Sequence, residues 1–504
     1  MNNLLMGLLN VVSPFNLLAV AAGTALGLFV GAMPGLSATM AIALLLPVTF
    51  GMDPATGICM LAALYMGAMY GGSITAILIR TPGTPAAAAT IMDGYPMAQQ
   101  GRAGKALGVS LTASLIGGVI SSIALLTIAP ILGKAALSFG PVELFAIAVL
   151  GMTIIGSLSS GSPIKGILSG VAGLLIAMVG MDPISGVPRF TFGTIYLFNG
   201  ISYVVALIGL FSIPQALRLV EKDGGGPQKA ASINDKMLPT WTEFKSMIVT
   251  ILRSSLIGTF TGLIPGTGGD TACWFGYNEA KRFSKEKEKF GTGHPEGVAA
   301  SEAANNAVVG GSLVPTITLG IPGSSATAIL LGGLMVHGIM PGPTLMTDHA
   351  DITFTLLWAV MLANIFMFLE GLVFTRAAVS VTKVPNKVLA PIIVILCVIG
   401  SFTINNSIDD VFVMIGFGIL GYFMDKLNIP TAPMVVGMIL GMMLDNTMRQ
   451  SLLMSNGSWS IFLSSPLSVI LLIIALISLL QATPIFAVLK KAFFKKNTPQ
   501  LGGK

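Results

Sequence analysis

Polar and ionisable side chains surround two Pro-Gly pairs, Pro265-Gly266 and Pro322-Gly323, each inside an apolar run within residues 258 to 333. Proline lacks a backbone N–H and glycine loses the most backbone entropy on ordering, so neither pair suits a continuous helix. In hydrocarbon such a break is tolerated only where protein or a water-filled cavity satisfies the freed backbone groups. The sequence therefore predicts a polar site built from interrupted membrane helices.

An earlier part of the chain repeats this pattern. Residues 26 to 41 align with 257 to 272, including Pro34-Gly35 with Pro265-Gly266. Two further matches follow in the same order: GGS at 71 to 73 with GGS at 310 to 312, and PGTPAAA at 82 to 88 with PGSSATA at 322 to 328. Interrupted segments at corresponding places in two halves indicate a transporter binding site. A chance match between Gly- and Pro-rich membrane helices is the alternative, and the ordered agreement disfavours it.

The chemistry of broken helices assigns roles to these residues. A half-helix N-terminus carries partial positive charge and free N–H groups, which suit a carboxylate, whereas helix C-termini and unwound carbonyls suit Na⁺. We predict that substrate binds to Gly35, Ser37, Ser73, Arg80, Gly83, Thr84, Gly266, Thr267, Ser312, Gly323, Ser324 and Ser325. We predict that a coupling cation, with Na⁺ as a candidate, binds to Asp270, Asn305, Asn306, Thr316 and Thr318. Hydrogen bonding back to the helix backbone is the alternative role of each Ser and Thr.

Composition indicates a membrane protein. Of 504 residues, 54% are hydrophobic and 10% are charged, against about 25% charged in a soluble domain. At about 20 apolar residues per crossing, the apolar runs allow about ten to twelve spans. We therefore predict an all-α polytopic membrane protein with two repeats, interrupted helices and re-entrant hairpins. Residues 81 to 92 are expected to form one hairpin arm, and residues 93 to 108 a connector.

The charge distribution divides the chain and orients it. We predict a first repeat half at 1–220 with its core at about 15–108, followed by scaffold helices. After it we predict a cytoplasmic linker at 221–245 and a second repeat core at 246–350. C-terminal scaffold helices at 351–489 and a basic cytoplasmic tail at 490–504 complete the chain as given. Basic residues concentrate in the linker, the loop 281–289 and the tail, and the positive-inside rule makes all three cytoplasmic. With an uncharged N-terminus on the opposite face, the repeats are inverted. A nucleic-acid partner is not expected, because each basic cluster adjoins a membrane segment.

Several motifs identify a family resemblance. They include GAMPGLSATMAIALLLP, GLIPGTGGDTA, EGVAASEAANNA and GIPGSSATAILLGGLMVHG. Over roughly residues 15 to 480 the chain resembles the large membrane subunit of tripartite tricarboxylate transporters, the TctA family. The resemblance implies a bacterial inner-membrane carrier for a carboxylate such as citrate, driven by a Na⁺ or H⁺ gradient. It also implies two protein partners, a small four-span membrane subunit and an extracytoplasmic solute-binding protein, and no cofactor. The chain has no GxxxxGK[ST] phosphate-binding loop, in agreement with this energy source.

Arg80 and Asp270 depart from the family pattern, which has uncharged residues there. An ionisable group inside a membrane segment is a functional-site hypothesis by default. Arg80 either pairs with a substrate carboxylate or caps a helix end facing the cytoplasm. Asp270 either holds a cation, carries a proton or pairs with Arg80. Glu302, three residues before Asn305, shares its helical face and either joins the site or packs in an interface.

Two other functional classes remain as alternatives. An anion channel needs the same pore chemistry without alternating access, and the twin hairpins favour a carrier. An intramembrane aspartyl-type hydrolase needs a Gly-x-Gly-Asp motif and a second membrane Asp. Thr267 occupies the first Gly position, and the candidate partners Asp409, Asp410 and Asp445 are expected at span ends. We therefore do not expect an enzyme.

Overall fold

Helices make up nearly all of the regular structure. The computed structural model describes residues 3–33, 36–157, 163–182, 186–221, 233, 235–381 and 386–481. In chain order the helices are α1 (Asn3–Val11), α2 (Pro14–Gly31), α3 (Ala38–Thr49), α4 (Pro54–Ile79), α5 (Ile91–Gln99), α6 (Ala103–Ala136), α7 (Pro141–Ser157), α8 (Pro163–Ala177), α9 (Tyr203–Glu221), α10 (Trp241–Leu263), α11 (Gly268–Phe283), α12 (Pro295–Leu319), α13 (Ser325–Val336), α14 (Leu345–Asp348), α15 (Ala350–Val381), α16 (Asn386–Asn405), α17 (Ile408–Lys426), α18 (Ala432–Met454) and α19 (Pro466–Gln481). Short 3₁₀ helices occupy Pro85–Ala87, Ile195–Asn199, Lys287–Lys289 and Trp459–Leu463, and strands β1 (Gly180–Met181) and β2 (Pro188–Arg189) pair antiparallel.

Within the described residues, six helices are long and apolar enough to cross a membrane. They are α2, α4, α6, α9, α10 and residues Ala350–Thr375 of α15. Six further apolar helices are shorter, among them α3 and α13. The prediction of an all-α polytopic membrane protein is confirmed, because the described chain is mainly helical and several of its helices are long and apolar enough to cross a membrane.

The chain forms two compact units. The first contains residues 1–138 and 202–423, and the second contains residues 139–201 and 424–504. The predicted division into repeat cores and scaffold helices stays a prediction. The linker residues 222–232 and 234 and the whole basic tail lie outside the described residues.

Helices α4 and α12 form the centre of the first unit. Residues 57 to 79 of α4 and 297 to 318 of α12 are buried throughout. Small residues allow neighbouring helices to approach them closely, as is common in membranes. A Cβ added to Gly27 of α2 would lie 2.3 Å from the Leu64 carbonyl oxygen, and one added to Gly258 of α10 would lie 2.2 Å from that of Ala304. Both repeats therefore pack their first helix against their central helix at a glycine.

Residues 93 to 108 form helix rather than the expected connector. Helix α5 covers Ile91–Gln99 and α6 begins at Ala103. The reason is tertiary: the Asp93 carboxylate in the first turn of α5 is fully buried and accepts hydrogen bonds from a loop about 200 residues later in the chain. A local pattern of Gly, Pro and charge does not reveal such a partner.

The second unit contains α7, α8, α18, α19 and the β1–β2 hairpin. Its ion pairs connect the hairpin region with α18. Arg449 contacts Asp182 at 2.6 Å and Asp445 at 2.9 Å, and Arg189 contacts Asp445 at 2.9 Å. Burial of Asp182 and Asp445 is tolerated because each carboxylate is paired and hydrogen-bonded.

Candidate functional site

Each repeat ends its central helix in the same turn. Helix α4 ends at Arg80 in the left-handed conformation (φ 57°), and α12 ends at Gly320 in the same conformation (φ 70°). The Arg80 N–H donates to the Thr75 carbonyl and the Gly320 N–H to the Pro315 carbonyl. Residues 81 to 84 then form the first tip, and residues 321 to 324 form the second tip. The two turns are equivalent, although an arginine occupies one of them.

The first tip is fixed between α2 and α4. The Gly83 N–H donates to the Gly72 carbonyl at 3.0 Å. A Cβ at position 83 would lie only 1.9 Å from the Gly31 carbonyl oxygen. Only glycine fits this close approach, so the position is constrained by packing as well as by any contact with a ligand.

The second tip is held by the second break, residues 264 to 267. The Gly266 N–H donates to the Gly323 carbonyl at 3.0 Å, and the Gly323 N–H donates to the Thr316 hydroxyl at 3.2 Å. Ser324 begins α13 in a capping box with Thr327, and its hydroxyl lies 3.1 Å from the Tyr65 hydroxyl of α4. The second tip therefore contacts the central helix of the first repeat.

The start of α11 lies between the two tips. A Cβ at Gly269 would be 2.8 Å from the Ala86 Cβ, just beyond the first tip, and 3.0 Å from Asn305 Oδ1. A Cβ at Gly268 would be 3.7 Å from the Ser324 Cβ in the second tip. The positive end of a half-helix thus meets segments from both repeats.

The Asn305 side-chain carbonyl oxygen beside Gly269 is buried and has no hydrogen-bond partner among the described residues. The same holds for the Thr84 hydroxyl in the first tip, which lies against Gly72 of α4. The Asn305 amide nitrogen is directed at the Met69 carbonyl, at 3.4 Å. An unsatisfied buried polar group costs about 1 to 3 kcal/mol, so a ligand that completes these bonds recovers that cost.

Most other predicted hydroxyls bond to nearby backbone. Ser312, Thr316 and Thr318 donate to carbonyls of their own helix, and Thr267 to those of Thr261 and Ile264. Ser37 accepts from the Met40 N–H at the start of α3. Ser325 is the first residue of α13, and Gly35 lies outside the described residues. These hydroxyls therefore bond to backbone, which is the structural role predicted above as the alternative to ligand binding.

Asn306 and Ser73 face a different cluster from Asn305. Consecutive helical residues point about 100° apart, as 3.6 residues per turn requires. The Asn306 amide donates to the Ser114 hydroxyl of α6 at 2.7 Å, and Ser73 lies 2.8 Å from Ser110 of α6. Both belong with Glu302, which accepts from Ser114. The structure therefore divides the predicted cation ligands between two places.

Arg80 and Asp270, the two ionisable residues that depart from the family pattern, do not pair with each other. Arg80 is exposed and its guanidinium lies 5.7 Å from the centre of the Tyr95 ring. Asp270 is exposed in the first turn of α11, next to Gly269. No ion pair joins Arg80 and Asp270, both of which are described. Of the two residues, Asp270 adjoins Gly269, the residue at the start of α11 that lies beside Asn305.

Asp93 is a buried carboxylate that the sequence reasoning did not select. Its Oδ1 accepts from the N–H groups of Gly291, Gly293 and His294 at 2.8 to 2.9 Å, and its Oδ2 accepts from the Tyr277 hydroxyl. The glycines of GTGH at 291 to 294 signal a backbone that can wrap an anion. Asp93 thus fastens α5 to the loop before α12.

The described residues bring no catalytic carboxylate pair to Asp270. Asp410 accepts from Asn405 at 2.8 Å, and Asp445 is paired with Arg189 and Arg449. The described residues also contain no cluster of three or more His, Cys, Asp or Glu side chains that could hold a metal. The polar chemistry at the tips is that of hydroxyls, amides and backbone groups.

Comparison with known proteins gives a match over most of the chain. A family model described as "Tripartite tricarboxylate transporter TctA family" matches residues 17–436. An Agrobacterium vitis protein named "Uncharacterized 52.8 kDa protein in TAR-I ttuC' 3'region" is 35% identical over 475 residues, 94% of this chain and 94% of that protein. Another from Agrobacterium vitis, "Uncharacterized protein in TAR-II ttuC' 3'region", is 33% identical over 225 residues, 45% of this chain and 93% of that protein. The family match includes both breaks and both tips.

Proposed function

Because the chain belongs to the tripartite tricarboxylate transporter TctA family, we propose that it imports a tri- or dicarboxylate, citrate-like in its chemistry, as the large permease subunit. A Na⁺ or H⁺ gradient drives the import in this proposal. A small four-span subunit and an extracytoplasmic solute-binding protein complete the transporter in the bacterial inner membrane, with the C-terminus of this chain in the cytoplasm.

One observation supports the proposal: the start of α11 lies against Ser324 of the second tip and Ala86 just beyond the first tip, beside the unpartnered Asn305 Oδ1. A substrate carboxylate suits the positive end of α11 and the Thr84 hydroxyl. The Asn305 carbonyl oxygen suits a substrate hydroxyl or a coupling cation. Ser324 and Asp270 border the same place. Since the two tips belong to different repeats, relative movement of the repeats would open and close the site, as alternating access requires.

The test is uptake of labelled di- and tricarboxylates into proteoliposomes that contain this chain and its small subunit. The binding protein is added outside, and Na⁺ and pH gradients are imposed separately. We expect accumulation of at least one carboxylate that needs both the binding protein and one of the gradients.

A channel and a carrier differ in this assay. Through a channel, labelled substrate equilibrates at a rate that substrate on the opposite side does not stimulate, whereas a carrier exchanges external for internal substrate and is stimulated by it. Uptake that reaches only equilibrium and requires no binding protein would contradict the proposal and support an anion channel.

A further inference from the structure

A second polar cluster surrounds Glu302, about one helical turn before Asn305 on α12. The Glu302 side chain is fully buried in the centre of the first unit. Its Oε1 is hydrogen-bonded to the Thr90 hydroxyl, and its Oε2 accepts from the Ser114 hydroxyl at 3.2 Å. Ser301 contacts Thr90 at 3.0 Å, and Asn306 contacts Ser114 at 2.7 Å. No Lys or Arg pairs with this carboxylate in the described part of the chain.

The neighbouring helices surround Glu302 with uncharged groups. Helix α6 provides Ser110 and Ser114, and α4 provides Ser73. Two titratable groups interact electrostatically with Glu302: the Tyr70 hydroxyl of α4 and the Cys273 thiol of α11. Helix α10 meets α12 near this level at the Gly258–Ala304 backbone contact. An isolated buried carboxylate is costly, and a bound proton removes that cost.

The hydrogen-bond contacts around Glu302 accommodate the acid form if each of three contacts is a hydrogen bond. The contacts of Glu302 with Thr90, of Thr90 with Ser301, and of Ser301 with the Gly297 carbonyl (3.0 Å) need three hydrogens. Thr90 and Ser301 each have one hydroxyl hydrogen, so together they supply two. A proton on Glu302 supplies the third: the carboxyl donates to Thr90, Thr90 donates to Ser301, and Ser301 donates to the Gly297 carbonyl.

We propose that Glu302 is the proton-binding residue of this transporter and that its protonation couples substrate movement to the pH gradient. This inference rests on the proposed function and names its coupling ion. Thr90 follows the first tip by six residues, and Asn305 follows Glu302 by three. In this proposal a rearrangement at Asn305 admits water to Oε1, and the proton leaves for that water, while the resulting carboxylate keeps the hydrogen bonds from Thr90 and Ser114.

Infrared difference spectroscopy on the purified complex of this chain and its small subunit tests protonation without any substrate. We expect the carbonyl stretch of a protonated carboxylic acid in the wild type, its reduction in Glu302→Gln, and its full retention in Glu288→Gln. Glu288 is a suitable control because it is an exposed acid in the loop between α11 and α12. Persistence of the whole band in Glu302→Gln would overturn the proposal. Loss of the band on adding Na⁺ at constant pH would overturn it in favour of a sodium site.

Transport gives the second readout. The proteoliposomes are loaded with citrate or with one of a panel of dicarboxylates. Glu302→Gln should retain exchange in the absence of a gradient, and its accumulation driven by a pH gradient should be at least tenfold lower than that of the wild type. Unchanged pH-driven accumulation would contradict the proposal. If the wild type exchanges none of the probes, the proposed carboxylate import fails, and the infrared band still decides whether Glu302 binds a proton. Should Glu302→Gln not fold, Thr90→Val is expected to shift the acid band, and an unshifted band would contradict the assignment.

Discussion

Thr84 and Asn305 show how single residues act at this site. Each places a buried oxygen where no described group satisfies it. Ser312, Thr316 and Thr318 are equally buried, but their hydroxyls are bonded to carbonyls of their own helix. A missing partner distinguishes Thr84 and Asn305 from these structural hydroxyls, and position distinguishes Asn305 from Asn306 and Asn364, whose oxygens are also unpartnered but which bond to α6.

Gly83 provides a residue-scale prediction about stability. In Gly83→Ala the new Cβ would overlap the Gly31 carbonyl oxygen at 1.9 Å, so the first tip or α2 has to move. Overpacking of this kind costs about 1 to 3 kcal/mol or more. We expect a clearly lower Tm in detergent. Gly416→Ala is the matched control, because nothing lies within 4 Å of a Cβ added there. Equal Tm values for the two variants would contradict the packing of the tip.

At the scale of elements, breaks and tips depend on partners distant in sequence. The second break binds the second tip through Gly266 and Gly323, and the start of α11 contacts Ala86. Asp93 similarly connects α5 with residues 291 to 294. These contacts keep unwound backbone satisfied inside an apolar protein.

Asp93 provides the element-scale prediction. Asp93→Ala removes the acceptor of three N–H groups, so residues 291 to 294 should exchange their amide hydrogens at least tenfold faster, which corresponds to about 1.4 kcal/mol. Hydrogen-exchange mass spectrometry of this loop measures the effect. Glu286→Ala is the control within the same loop. Hydrogen bonds from Lys289 and His294 lower the pKa of Glu286, so its exposed contacts exist at neutral pH and disappear on acidification. Equal exchange in both variants would show that Asp93 does not hold the loop.

The sequence predicted elements better than it predicted their contacts. Pro-Gly pairs interrupt helices for local steric reasons, so the second break and both tips could be located in advance. The helical residues 93 to 108 and the cluster around Glu302 depend on tertiary contacts between residues about 200 positions apart, such as Thr90 with Glu302. Asn305 and Asn306 were grouped because they are adjacent, but helical geometry directs them to different neighbours.

At the scale of the molecule, the two predicted repeats each contain a long helix, a shorter helix and a buried central helix, α2, α3 and α4 in the first and α10, α11 and α12 in the second. The loop between α3 and α4 contains Gly51, and the loop between α11 and α12 contains Glu288. In an inverted repeat these equivalent loops face opposite sides of the membrane. The basic composition of the second loop predicts that it is cytoplasmic.

Cysteine labelling checks this orientation. Gly51→Cys and Glu288→Cys should each react with a membrane-impermeant maleimide from one side, and the sides should be opposite, with Glu288→Cys labelled from the cytoplasm. The native cysteines Cys59, Cys273 and Cys397 are buried, so the wild type is the background control. Labelling of both positions from the same side would rule out inverted repeats.

The most direct test of a site shared by both repeats is the KM of carboxylate uptake in Thr84→Val and Asn305→Ala. Each variant removes an oxygen at the meeting of the tips, so we expect each to raise KM about tenfold, or about 1.4 kcal/mol, with the folded complex retained on size-exclusion chromatography. Asn364→Ala is the matched control, because Asn364 of α15 is also a buried amide with an unpartnered oxygen, but that oxygen lies against Gly118 of α6 rather than at the start of α11, and its KM should be unchanged. A KM that rises for a variant of one repeat but not for the other would contradict a site formed between the repeats.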